Sequence, residues 1–244
     1  MPIQRLAPAF DGFKIAVIAD LHYGPFTGAH KIEAAVNSIN HLRPDVVTIV
    51  GDFVTEPAFG NRRRGALEAE PCGRILAGLR APHGAFAVLG NHDANTDPQF
   101  VVEALTRHGI TVLRNTNQAL EQDGARLWLA GVNDVLVGKP DLYAALSHIP
   151  ADEPRVLLAH EPDFADHASR YDVDFQLSGH SHGGQVRFPG VPPLYLPPLG
   201  HKYYEGLYQI GKMRLYTNRG IGMVTLPFRF DCPPEITVVT LRKA

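Results

Sequence analysis

The chain has 244 residues, 45% of them hydrophobic and 20% charged, a length and composition that fit one globular domain spanning residues 1–244 with a core on both sides of a sheet. Its 23 basic and 25 acidic residues leave a net charge of −2, which excludes a broad electropositive surface and, with it, bulk nucleic-acid binding through phosphate neutralisation. Cys72 and Cys232 lie far apart without a CxxC spacing, so neither a disulfide framework nor a thiolate zinc site is expected and both read as reduced thiols of a cytoplasmic protein.

The amino terminus, MPIQRLAPAF, lacks the apolar stretch of a secretory signal, and no later run approaches the ~18 apolar residues of a membrane span. The expectation is a chain without a transmembrane anchor.

Taken in order, FKIAVIA (13–19) reads as a buried strand leading to Asp20 and His22. A helix is expected from Ala29 to Leu42, with Ile32, Ala35, Val36 and Ile39 on one face and Pro44 beyond its end. VVTIV (46–50) is a second strand, ending before Asp52. NRRRG (61–65) reads as a solvated basic turn on a loop. AFAVL (85–89) leads to Asn91, His92 and Asp93, and a helix from Pro98 to His108 buries Phe100, Val101, Ala104 and Leu105 before Gly109.

RVLLA (155–159) then leads to His160, and VDFQL (173–177) to His180 and His182. In the second half, RLWLAGV, GGQVRF, GLYQI, MRLYT and EITVVTL alternate with Gly and Pro turns and read as predominantly antiparallel strands. Residues 189–200, PGVPPLYLPPLG, are too proline-rich for a central strand. They read as a packed surface loop or, more sharply, as a lid. The sum is a mixed α/β sandwich.

Polar clusters at the carboxyl ends of separate strands converge in open α/β sheets. Carboxylate, imidazole and amide donors suit manganese, iron, zinc or nickel rather than copper(I) or iron–sulfur clusters. Asp20, His22, Asp52, Asn91, His160, His180 and His182 exceed what one ion needs, whereas two ions sharing a carboxylate use nearly all of them. Gly51, Gly90 and Gly179 stand immediately before these residues and permit turns closed to bulkier side chains.

Each fragment has an ordinary alternative. DLH at 20–22 and GDF at 51–53 are, singly, more often turns or helix caps than ligands. GNHD at 90–93 and GHSHGGQ at 179–185 are more specific, because a histidine pair in a glycine-rich turn has little use in a core.

In this order, DLH, GD, GNHD, His160 and GHSH resemble the complete signature of the calcineurin-like metallophosphoesterases. GGQVRFP, KYYEGLY, MRLYTNRGIG and LPFRFDCPPEI extend the resemblance, over almost the whole chain, to the bacterial phosphodiesterase branch typified by YkuE and YaeI.

The resemblance implies a four-layer αββα sandwich of two mixed β-sheets flanked by helices. It implies a phosphoester hydrolase, expected to be a phosphodiesterase, with two divalent metal ions per chain, manganese first and iron, zinc, nickel or cobalt as the others. By similarity, Asp20, His22 and His182 hold one ion, Asn91, His160 and His180 the other, and Asp52 bridges them. A bridging hydroxide is then the nucleophile. His92, beside the phosphate with Asn91, assists the leaving oxygen, and Asp93 is its expected orienting partner, with helix capping as the alternative.

The expected partner is a small phosphoester. A lipid-linked one, either a phospholipid or a sugar-nucleotide pyrophosphate, stands slightly ahead of a nucleotide, because of the apolar 189–200 loop with Tyr203 and Tyr204 nearby. Nucleic-acid phosphodiesterase and protein phosphatase are the enzyme alternatives, with no stable nucleic-acid partner. A catalytically silent metal-binding scaffold is the alternative of another class. Relatives in that branch commonly carry an amino-terminal membrane segment or export signal. This chain begins almost at its first strand, so the expected location is cytoplasmic, at most peripheral to the inner membrane.

Overall fold

The computed structural model describes residues 1–244. Its strands are β1 (Pro2–Ile3), β2 (Lys14–Ile18), β3 (Val46–Val50), β4 (Ala85–Val88), β5 (Ile110–Val112), β6 (Thr116–Gln122), β7 (Ala125–Gly131), β8 (Arg155–Leu158), β9 (Phe175–Ser178), β10 (Gly206–Ile210), β11 (Met213–Thr217), β12 (Thr237–Thr240) and β13 (Arg242–Lys243). Its α-helices are α1 (Ala29–Leu42), α2 (Arg63–Ala66), α3 (Ala69–Leu76), α4 (Asn91–Asn95), α5 (Pro98–Arg107), α6 (Leu142–Ala145) and α7 (Ala165–Ala168).

Two mixed sheets dominate, ordered β12-β2-β3-β4-β5 and β10-β11-β9-β8-β7-β6. Alternation along each strand sorts its side chains between layers. Ile15 and Val17 of β2 face a core between the sheets, shared with Val156 and Leu158 of β8 and Leu177 of β9. Ala16 and Ile18 face the other way, onto Ile32, Ala35, Val36 and Ile39 of α1 and Val101, Ala104 and Leu105 of α5. On the far side, Leu157 of β8 and Leu215 of β11 pack with α6 and α7. The result is helix, sheet, sheet, helix, four layers with three apolar interfaces.

The neighbouring strands β2, β3, β4 and β5 are parallel, as are β7, β8, β9 and β11. Their carboxyl ends therefore emerge together within each sheet. Helix α1 covers the span expected for it and stops where Arg43 turns left-handed, at φ 49°, one residue before Pro44.

Several expectations need correction. GGQVRF forms no strand, because Gly183, Gly184 and Gln185 have consecutive φ values of 59°, 83° and 51° and only Val186 makes a bridge, to Phe230. The second half is mixed rather than mainly antiparallel: β6, β10 and β12 pair antiparallel, but β11 joins β9 and β7 joins β8 in parallel. NRRRG opens α2 instead of a free turn, with Arg62 paired to Glu56 at 2.8 Å and Arg63 to Asp97 at 3.4 Å.

Candidate metal centre

The carboxyl ends of β2, β3, β8 and β9 deliver Asp20, Asp52, His160 and His180, while His22 and His182 follow two residues after the first and last of these. Asn91 and His92 open α4 after β4. All of the sequence-derived site residues meet at this edge. Asp20, His22, Asp52, His180 and His182 have φ values of 51°, 43°, 57°, 69° and 52°. A run of left-handed non-glycine residues is strained backbone of the kind concentrated at functional sites.

The donor atoms of Asp20, His22 and His182 lie within 4.8 Å of one another, as do those of His22, Asp52 and His92, and those of Asp20, Asp52 and His160. Asp52 stands between the halves: its Oδ2 is 3.5 Å from His22 Nε2 and 3.2 Å from His160 Nε2. The groups overlap, as a shared carboxylate requires.

Ring orientation decides which nitrogen each histidine presents. His160 Nδ1 donates to the Val50 carbonyl at 2.6 Å, leaving Nε2 free; His180 Nε2 donates to the Pro198 carbonyl at 2.8 Å, leaving Nδ1. Asn91 Oδ1, His160 Nε2 and His180 Nδ1 are all buried without a hydrogen-bond partner. Unsatisfied buried polar atoms are rare, and here three gather in residues expected to share one ion.

On the other half, His22 Nε2 and His182 Nε2 are 3.0 Å apart. Two nitrogens bound at right angles to one ion at ordinary zinc–nitrogen lengths would be about 3 Å apart. The residues present therefore fit a metal on both halves.

Burial pushes Asp20 up to about 7, His22 down to about 3 and His180 down to about 4, and holds His182 well below its ordinary value. Burial also works against charge on Asp52 and His160, but the groups around each of them, the other one foremost, together outweigh it. Asp52 is held well below the carboxylate range, and His160 well above the imidazole range. Without a cation, a His160 proton balances the Asp52 carboxylate.

Space explains two of the glycines better than turn freedom does. A Cβ on Gly90, whose φ is an ordinary −102°, would lie 2.2 Å from Asp52 Oδ1 and 2.7 Å from His160 Nε2. On Gly51, which does turn at φ 92°, it would lie 2.4 Å from His160 Nδ1.

The expected pairing of Asp93 with His92 is not formed. The buried Asp93 carboxylate accepts from the backbone N–H groups of Asp52, Phe53, Val54 and Gly90 at 2.8–3.1 Å. It caps α4 and ties the β3 and β4 loops together, the capping alternative in an extended form. His92 Nδ1 instead accepts from the Glu56 backbone N–H at 3.0 Å, so the N–H of the neutral ring sits on Nε2. The His92 ring stands edge-on to His22, 4.7 Å between centroids, and is only half-buried.

Sequence reasoning missed Asp134, Glu161 and Arg229. Asp134 and Glu161 are buried, Asp134 Oδ1 accepting from the Val137 N–H at 2.7 Å and Glu161 Oε2 from the Val135 N–H at 3.1 Å; burial, then the neighbouring Asp134, drives Glu161 well above the carboxylate range. Asp134 follows the end of β7 as Asp20 follows β2, so the strand-end signal was present in VND. Arg229 lies in LPFRFDCPPEI, a segment singled out only by resemblance, and its own role was not legible there because it joins carbonyls as far as 47 residues away.

A sequence model described as "Calcineurin-like phosphoesterase" matches residues 13–184, the span that carries every one of these donors. The chain belongs to that family. Uncharacterized metallophosphoesterase YkuE of Bacillus subtilis is 38% identical over 96% of this chain and 80% of its own length. Phosphodiesterase YaeI of Escherichia coli is 32% identical over 94% of this chain and 82% of its own. A Danio rerio transmembrane protein with metallophosphoesterase domain is 32% identical across 100% of this chain, which spans 56% of that protein. In fold, the calcineurin-like chain resembles TT1561 of Thermus thermophilus with a TM-score of 0.58 at 13% identity, covering 86% of this chain and 90% of that one. It also resembles a dimetal phosphatase from Danio rerio, with a TM-score of 0.54 at 13% identity and coverage of 95% and 93%. Like its family, it is a metallophosphoesterase.

Proposed function

We propose that this metallophosphoesterase is a phosphodiesterase whose single domain holds two divalent ions, manganese first. Asp20, His22 and His182 hold one ion, Asn91, His160 and His180 the other, and Asp52 both. The observation that carries the reading is the buried, overlapping donor set in which Asn91 Oδ1 and His180 Nδ1 have no partner within the protein and His160 Nε2 faces the Asp52 carboxylate at 3.2 Å.

When bound, such ions supply Lewis acidity at phosphorus and a water activated near neutral pH. The chain's own residues do the rest. The backbone N–H of Glu56 keeps a proton on His92 Nε2, the atom from which a leaving alkoxide can be protonated. Asp93 holds the Asp52–Val54 backbone, and thereby Asp52, at a fixed distance from both halves. The carbonyls of Val50 and Pro198 orient His160 and His180.

A substrate with an apolar part is favoured over a free nucleotide. Leu194 and Tyr195 are 72% and 75% exposed on the loop whose Pro198 carbonyl holds His180. Phe188 and Phe230 stand beside it, 6.2 Å between ring centroids. No helix is long and apolar enough to cross a membrane, so contact with lipid would be peripheral from a cytoplasmic location, where the unpaired, buried Cys72 and Cys232 fit. The test is turnover by manganese-loaded protein on aryl diesters, aryl monoesters, nucleotides and lipid pyrophosphates. Diester hydrolysis faster than monoester hydrolysis, abolished by chelation, is expected; a strong monoester preference refutes the diesterase reading, and full activity of metal-free protein refutes the mechanism.

A further inference from the structure

The family match ends at residue 184, yet one wall of the site is built from beyond it. The segment 219–222 runs along 19–21 as extra backbone, with Ile221 N–H donating to the Ala19 carbonyl at 3.0 Å and Gly222 N–H to the Asp20 carbonyl at 2.7 Å. Gly220, at φ 75°, lies so close that a Cβ would fall 2.6 Å from Asp20 Cβ and 2.8 Å from Oδ2.

What holds this segment is Arg229. Its Nε donates to the Gly222 carbonyl and its Nη2 to the Arg219 carbonyl, both at 2.9 Å, so the guanidinium spans Gly220 from both sides. Nη1 reaches the carbonyls of His182 at 3.3 Å and Cys232 at 3.4 Å. Five fixed donors in one plane suit several carbonyls at once, which a lysine cannot match. These backbone bonds join Asp20 to His182, and none goes to Asp52, His160 or His180.

The guanidinium also opposes the ion. Nη2 lies 3.3 Å from His182 Nδ1, and an ion on His182 Nε2 would place the ring proton on Nδ1, facing a donor. The Arg219 carbonyl, nearer at 2.9 Å, takes the Nη2 hydrogen in that state. Positioning and repulsion thus predict opposite effects of removing the charge, and experiment can separate them.

We propose that Arg229 is a positioning residue for one half of the centre, setting Asp20 and His182 for their ion and reaching the other half only through Asp20, whose carboxylate accepts from the His180 N–H at 3.0 and 3.1 Å. This rests on the two-ion reading above. The test is metal titration of wild type, Arg229→Met and Arg229→Lys, with content measured by mass spectrometry after dialysis, cobalt(II) absorption as the coordination readout, and circular dichroism as the check on folding. Outer residues that orient metal ligands typically contribute 10–100-fold in affinity, so Arg229→Met should bind one ion normally and the second roughly 10–100-fold more weakly, with Arg229→Lys between. Combined with His182→Ala the change should add little, and combined with His180→Ala it should weaken both sites. Unchanged affinities, equal loss from both halves, or tighter binding in Arg229→Met overturns the proposal. Should Arg229→Met fail to fold, Arg229→Lys and Gly220→Ala, which crowds Asp20 directly, decide it by the same half-site criterion. Wild type that binds fewer than two ions refutes the two-ion reading instead, while the affinity ratio between variant and wild type still tests Arg229.

Discussion

His22 Nε2 and His182 Nε2 face each other at 3.0 Å across 160 residues of chain. One ring is fixed at the end of β2 in the first sheet and the other after β9 in the second, so their approach measures how closely the two sheets bring their carboxyl edges together. Burial holds both rings neutral, so they meet without charge repulsion, and the hydrogen they share at 3.0 Å is the one a cation would have to displace.

Cation binding should release protons. His160 lies well above the ordinary imidazole value and Asp20 is raised to about 7, so at pH 7 the ion-free protein carries protons that an ion must displace. Affinity should therefore rise with pH through the neutral range, whereas His22 at about 3 and His180 at about 4 are already neutral there. Calorimetry of manganese binding in buffers of different ionisation enthalpy checks this. Binding heats that do not depend on the buffer would contradict it.

Asp52→Asn should weaken both ion sites, and His22→Ala chiefly one, because Asp52 Oδ2 lies 3.5 Å from His22 Nε2 and 3.2 Å from His160 Nε2 whereas His22 borders only one half. Metal content after dialysis reads the difference. A variant Asp52→Asn that stays loaded and active removes Asp52 from the bridge.

The fold was legible wherever apolar runs were buried on both faces. VVTIV is buried at all five positions, and α1 has apolar residues at helical spacing between a glycine and a proline. Strand β6, TNQALEQ, escaped because it is an edge strand with one solvated face and a single buried residue, Leu120. The donors were legible because local motifs carry them. Their orienting partners were not: Val50 and Pro198 act through carbonyls and Glu56 through its N–H, which any residue could supply. Asp93 illustrates the limit, since its motif marked it as important while its four backbone partners belong to the fold.

Asp93→Asn should therefore act first on stability. The amide presents N–H toward backbone donors that the carboxylate accepted, and leaving buried donors unsatisfied costs about 1–3 kcal/mol. A lowered melting temperature in the metal-free protein is expected, together with weaker metal binding through the displaced Asp52 loop. An unchanged melting temperature would show that the clamp is unnecessary.

His92→Asn isolates the leaving-group step. The side chain is half-buried, and its Nδ1 is occupied by the Glu56 N–H, so only Nε2–H remains to serve a departing oxygen. The His92 backbone N–H donates to Asp52 Oδ1 at 2.9 Å, a bond that asparagine keeps, so the Asp52 carboxylate should hold its place. General acid assistance is typically worth ~10²–10⁴-fold, and an alkyl phosphodiester should lose roughly that much rate. An activated aryl diester, whose leaving group needs little help, should lose far less. His92 Nε2 also lies within the donor group of His22 and Asp52, so both rates must be compared at equal measured metal content. Loss of an ion in His92→Asn would make the residue a ligand, equal slowing of both substrates would make it a phosphate-positioning group, and only the unequal loss supports the acid.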